Sequence, residues 1–139
     1  MKILVWNEYR HEKQEEAIRK VYPNGIHEAI AEFLRADGHE VRVATLDDEN
    51  HGITKEILDD TDVLFWWGHM AHREVPDEVA YLVRDAVLDG MGAVFLHSAH
   101  HSKPFRYLLG TSCNLCWRES HDSERLWVIE PSHPITRGI

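Results

Sequence analysis

A chain of 139 residues, 43% apolar and 28% charged, has the size and composition of one globular domain whose hydrophobic core needs no disulfide staple. Its net charge of -9, from 24 acidic against 15 basic residues, argues against nucleic acid and anionic membranes as partners, since both are approached through concentrated positive charge. No apolar run nears the roughly 20 residues of a membrane span, and Met1 to Trp6 leads at once into polar sequence, so a cytoplasmic protein is expected.

Lys2 to Trp6 reads as a short, fully buried strand bounded by the polar stretch Asn7 to His11. The connection onward to Asn24 is long and charged for a compact domain, and Glu12 to Val21 within it has helical character, ended by Pro23. From Ile26, the apolar residues Ile26, Ala29, Ile30, Phe33 and Leu34 follow the spacing of an amphipathic helix, and Gly38 stops it. Glu40 to Leu46 alternates at Val41 and Val43, as suits a less buried strand near an edge. Asp47 to Gly52 is a loop by composition, and Ile53 to Leu58 a short helix.

Asp62 opens the apolar run Val63 to Trp67, too short for a helix and hence a central strand, with Gly68 to Arg73 as its polar tip. Trp66 and Trp67 point to opposite faces of that strand, so at least one of them belongs to the core. Pro76 to Asp89 is the clearest helix, with proline at its start, Asp77 and Glu78 in the first turn and Gly90 to end it. Gly92 to Leu96 is another buried strand, running directly into His97, Ser98, Ala99, His100 and His101. A short helix from Ser102 to Leu109 ends at Gly110, Thr111 to Ser123 is irregular, and Arg125 to Glu130 is the last predicted strand, broken by Pro131 to Pro134.

This alternation of strands and helices predicts a parallel sheet covered on both faces. The expected fold is a flavodoxin-like, doubly wound α/β sheet of order 2-1-3-4-5 in one domain, residues 1–139. That order sets the tips after strands one, three and four side by side, so Asn7 to His11, Gly68 to Arg73 and His97 to His101 should line one crevice at the carboxyl edge, where ligands of such sheets bind.

Several chemistries fail on inspection. No Gly-x-Gly-x-x-Gly follows the first strand, no phosphate-binding Gly-x-x-x-x-Gly-Lys-Ser/Thr is present, and the clustered carboxylates of a phosphate-accepting receiver domain are missing. Ser98 stands where a nucleophile elbow would place its serine, but that turn needs small neighbours two positions either side, and here they are Leu96 and His100. A hydrogen-bonding or turn role suits Ser98 better.

Histidine is unusually abundant, at 11 residues. His69 and His72 are three apart, as are His97 and His100, and imidazoles from adjacent strand ends could converge on a zinc-like ion with an open position for substrate or water. The competing reading leaves these histidines as loop residues or hydrogen-bond partners. Glu8, His11 and Arg73 offer acid-base or hydroxyl-binding groups, and Trp6 and Trp117 either frame a crevice or fill the core. Cys113 and Cys116 form a lone Cys-x-x-Cys, which serves equally as half a zinc site or as packing thiols.

The apolar first strand, Trp67-Gly68-His69, the segment Gly92 to Ser98 with His97-Ser98-Ala99, and the closing Ser132-His133-Pro134-Ile135-Thr136-Arg137-Gly138-Ile139 together resemble the trehalose-utilisation (ThuA-like) family. The resemblance runs the length of the chain, and the closing motif is its most specific part. It implies the class I glutamine amidotransferase-like fold and a role in bacterial use of trehalose or related disaccharides. Amidotransferases of this fold carry a cysteine at the elbow; His97 and Ser98 stand there in this chain, which implies no glutaminase activity. Members usually continue past the His-Pro-Ile-Thr motif, so the resemblance also implies a C-terminally truncated form.

The leading expectation is a ThuA-like protein that binds a small carbohydrate or keto-sugar in the crevice, in contact with Asn7, Trp67 and Ser98. His69, His97 and Glu8 are its expected catalytic groups, and His69, His97 and His100 the expected zinc ligands of a metal-assisted hydrolase or isomerase. The alternative is a non-enzymatic module in which histidines and Cys116 close a structural zinc-like site and the surface serves a homo-oligomer.

Overall fold

The computed structural model describes residues 1–118, 120–123 and 125–137. Its centre is a four-stranded, all-parallel sheet of order β2-β1-β3-β4, with β1 at Lys2–Asn7, β2 at Glu40–Thr45, β3 at Val63–Trp67 and β4 at Gly92–Phe95. The register aligns Asn7 with Thr45 on one side and Trp67 on the other, and Trp66 with Phe95, so the carboxyl ends of the strands finish nearly level.

Burial follows the two-residue period of a strand. Along β1, Ile3 and Val5 face one side, where they pack with Ala31 and Leu34 of helix α3, Ile26–Ala36. Leu4 and Trp6 face the other, joining Leu64 and Trp66 of β3 and Val79 and Val83 of helix α5, Asp77–Leu88. Trp6 and Trp66 stack at 3.8 Å between ring centroids, and both are 1% exposed. The tryptophan pair fills the sheet-helix layer directly beneath the carboxyl edge, so neither ring is available to frame a crevice. Edge strand β2 alternates as expected of its sequence, with Glu40 and Arg42 exposed.

Two short helices, α1 at His11–Gln14 and α2 at Glu16–Val21, replace the single helical stretch expected there, because Glu15 adopts an extended conformation between them. Helix α4 is Lys55–Asp59 and α6 is Lys103–Leu109, each starting a residue or two later than its apolar pattern suggested.

The expected fifth strand, Arg125 to Glu130, is not seen among the described residues. Among the described residues, β4 pairs only with β3, and Leu126, Trp127 and Ile129 are 75%, 76% and 94% exposed. Aromatic and β-branched residues favour a strand only where a neighbouring strand supplies hydrogen bonds and packing. The irregular residues after α6 do not bring Arg125 to Glu130 to β4, so the sheet order is 2-1-3-4 and the apolar pattern goes unused.

Candidate functional site

The carboxyl edge gathers polar groups from three strands. After β1, Glu8 extends the ladder by one bond, its N–H donating to the Trp67 carbonyl at 3.2 Å, and its side chain is 1% exposed. Glu8 Oε1 accepts from the Met70 N–H at 2.8 Å and Oε2 from the Ala71 N–H at 2.9 Å. A buried carboxylate is tolerable only with such donors, and two backbone N–H groups of the β3 tip supply them.

Gly68 leaves the room between this carboxylate and His72. A methyl group at Gly68 would stand 3.3 Å from both Glu8 Oε2 and His72 Nδ1, so the two groups share one small space. Gly68→Ala is therefore expected to push them apart by a few tenths of an ångström with the fold intact. Unmoved His72 ring resonances in a folded G68A protein would contradict that placement.

Half-buried His72 begins a 3₁₀ turn, His72–Glu74. Burial pushes its imidazole below the ordinary value; Glu8 opposes that shift, and His101, His100 and His69 add to it. The consequence is a neutral imidazole near neutrality, able to accept a proton and then be steadied by the Glu8 charge. From β4, His101 lies 6.3 Å from His72 between ring centroids and 4.1 Å from His100. Both ring nitrogens of His100 and the Ser102 hydroxyl are buried without a hydrogen-bond partner among the described residues.

One wall of the site is made of rings. His11 and His69 stack at 5.0 Å, and Trp67 lies 6.5 Å from His11 and 6.2 Å from His69. Trp67 and His11 are half-buried and His69 is exposed, so part of the ring surface is open to solvent. Arg10 ties the rim together, donating to Asp47 at 2.8 Å and to Glu74 at 3.0 Å. Ser98 takes a left-handed conformation, φ 79° and ψ -26°, at the strand-to-helix turn, and its hydroxyl caps no following N–H. The backbone thus has the strain of an elbow despite the bulky neighbours.

A depression of about 540 Å³ lies at the opposite, amino-terminal edge, lined in part by Lys2, Asp60 and Asp62. Lys2 is engaged there, its Nζ with Asp60 and its N–H with Asp62, and no histidine lines the depression.

A model of the family described as ThuA, trehalose utilisation, matches residues 2–139. The chain belongs to the ThuA family. No curated protein matches it. The family's concern with trehalose use, the flavodoxin-like sheet and the polar carboxyl edge are mutually consistent.

Within this ThuA-family chain the residues singled out in the sequence fall into separate groups. Glu8 stands with His72; His69 stands with His11 and Trp67; His100 stands with His101; His97 is exposed at the end of β4. Among the described residues no group of three or more His, Cys, Asp or Glu side chains is placed to hold a metal ion. Cys113 and Cys116 are both free thiols, Cys113 half-buried and Cys116 exposed. No described helix is long and apolar enough to cross a membrane.

Asn7 is fully buried, and its polar atoms turn inward to Tyr9, Glu12 and His27 rather than toward the rings. Glu12 and His27, 2% and 7% exposed, carry no mark in the sequence pattern. A four-residue helix has no readable period, and α3 buries His27 with Ala31 and Leu34 while Ala29 and Phe33 of the expected apolar stripe are exposed, so its buried face is turned away from the one its apolar spacing suggests.

Burial pushes the His27 imidazole below its ordinary value of 6.5, and the acidic neighbours Glu28, Glu12 and Asp48 only partly offset this. The folded protein thus binds fewer protons at this site than the unfolded chain does below that value. Stability should be fully present above pH 6.5 and fall as pH drops through it. His27→Gln should flatten that slope in thermal unfolding; an unchanged slope would show that other groups set it.

Proposed function

We propose that this ThuA-family protein binds a disaccharide or keto-sugar of trehalose utilisation at the carboxyl edge and moves a proton on it through His72. The observation that carries the reading is the buried Glu8 carboxylate, held by the Met70 and Ala71 N–H groups beside a half-buried imidazole of lowered basicity. Trp67, His69 and His11 provide a ring surface for the apolar face of a sugar, and sugar hydroxyls find donors and acceptors at the surrounding histidines.

In this scheme His72 is the catalytic residue. It takes a proton from a sugar hydroxyl, or from the carbon next to a keto group, and the imidazolium so formed is stabilised by Glu8. Glu8 itself is shielded from the ligand and acts on the imidazole through its nearby charge rather than through a hydrogen bond. The test is calorimetric binding and turnover of trehalose and its keto derivative by the wild-type protein and by His72→Gln. Binding retained with turnover lost supports the reading, and equal turnover in both proteins overturns it.

A further inference from the structure

Behind Glu8 lies a buried polar relay that the proton-transfer scheme does not use. Glu12 Oε1 accepts two hydrogen bonds, from Asn7 Nδ2 at 2.7 Å and from the Ile26 N–H of the first turn of α3 at 2.8 Å. Asn7 Nδ2 also lies 3.0 Å from His27 Nδ1, and Asn7 Oδ1 accepts from the Tyr9 N–H at 2.8 Å. The orientation of the Asn7 amide follows from chemistry: reversed, its oxygen would face the Glu12 carboxylate and its NH₂ the Tyr9 N–H. With Nδ2 donating on both sides, His27 Nδ1 is an acceptor and its proton is on Nε2.

The Asn7-to-Tyr9 bond closes a turn across Glu8, and Tyr9 is held at φ 50°, a left-handed conformation rare for an aromatic residue. Such a turn persists only where its surroundings over-determine it. Here the surroundings are packed without slack. A Cβ at Gly25, which has φ 91°, would stand 2.3 Å from His27 Cε1 and 3.1 Å from Tyr9 Cε2. The second Glu12 oxygen has no partner among the described residues, where the side chain's hydrogen bonds both run through Oε1.

We infer that Glu12 is a positioning residue: it sets the Asn7 amide, and through Asn7 the Tyr9 turn that carries the Glu8 carboxylate to the Met70 and Ala71 N–H groups. The inference deepens the Glu8–His72 reading and rests on it for its functional meaning. It requires an acceptor at position 12 rather than a charge, because both donors share one oxygen and an amide carbonyl presents the same oxygen.

The amide-proton shifts of Met70 and Ala71 report whether Glu8 is in place, since those protons are hydrogen-bonded to its carboxylate. Glu12→Gln should keep both shifts. Glu12→Ala should move both as far as Glu8→Gln does, while amides elsewhere in the sheet stay where they are. A folded E12A protein with wild-type Met70 and Ala71 shifts overturns the inference, as does E12Q behaving like E12A. If E12A does not fold, Glu12→Asp, which draws the acceptor back by one methylene, decides by the same shifts. Failure of the proton-transfer reading shows separately, as undiminished turnover in Glu8→Gln.

Discussion

Glu8→Gln should lower turnover of a trehalose-derived keto-sugar about a hundredfold, the ordinary scale of a lost acid-base contribution, while leaving ligand binding nearly intact. The charge that holds a protonated His72 disappears, and that charge is the contribution opposing burial of the imidazole. Losing it lowers the basicity of His72 further. The rising limb of the pH profile, set by deprotonation of His72, therefore moves to lower pH while the plateau falls. The amide also brings its own N–H₂ against one of the two backbone donors at Met70 and Ala71, leaving a buried donor unpaired at about 1–3 kcal/mol. A folded E8Q protein with the wild-type plateau and the same rising limb would remove Glu8 from the reaction. His72→Gln completes the pair: it should abolish the rising limb, and Glu8→Gln added to it should lower turnover no further.

The second large effect is on stability. Trp66→Ala should cost about 3–5 kcal/mol in urea unfolding, the range for deleting a buried aromatic ring. Trp66 is 1% exposed, stacked on Trp6 at 3.8 Å and packed near Phe95 at 6.5 Å, so no neighbour is free to collapse into the space. Replacement by phenylalanine separates ring packing from hydrogen bonding. Trp6 Nε1 donates to the His51 carbonyl at 2.9 Å, whereas Trp66 Nε1 has no partner among the described residues. Trp6→Phe should therefore cost more than Trp66→Phe, since only the first breaks a bond and strands a carbonyl. The reverse order would mean that the volume lost, rather than the indole N–H, governs both sites.

The amino-acid sequence by itself determined the alternation of strands and helices, a parallel sheet whose first four strands lie in the order 2-1-3-4 of the expected 2-1-3-4-5, and the placing of the tips after β1, β3 and β4 at one edge. Those features rest on local periods, such as the continuous apolar run of β1 and the three-to-four spacing in α3, together with handedness rules that leave few topologies. Family membership was legible too, in residues spread from the first strand to the closing His133-Pro134-Ile135-Thr136. Only the tertiary structure set His72 near Glu8 across Gly68 and His69 against His11, because both histidines lie on one irregular tip where no period relates sequence distance to direction. Tertiary packing likewise sent Glu12 and His27 inward to meet Asn7, a contact between residues 5 and 20 apart in the chain that composition marks as solvated. It also left Leu126, Trp127 and Ile129 exposed, although their composition reads as a strand. A strand is completed by the neighbour it pairs with, and a buried polar group by the partners that satisfy it, so neither can be read from one stretch of chain alone.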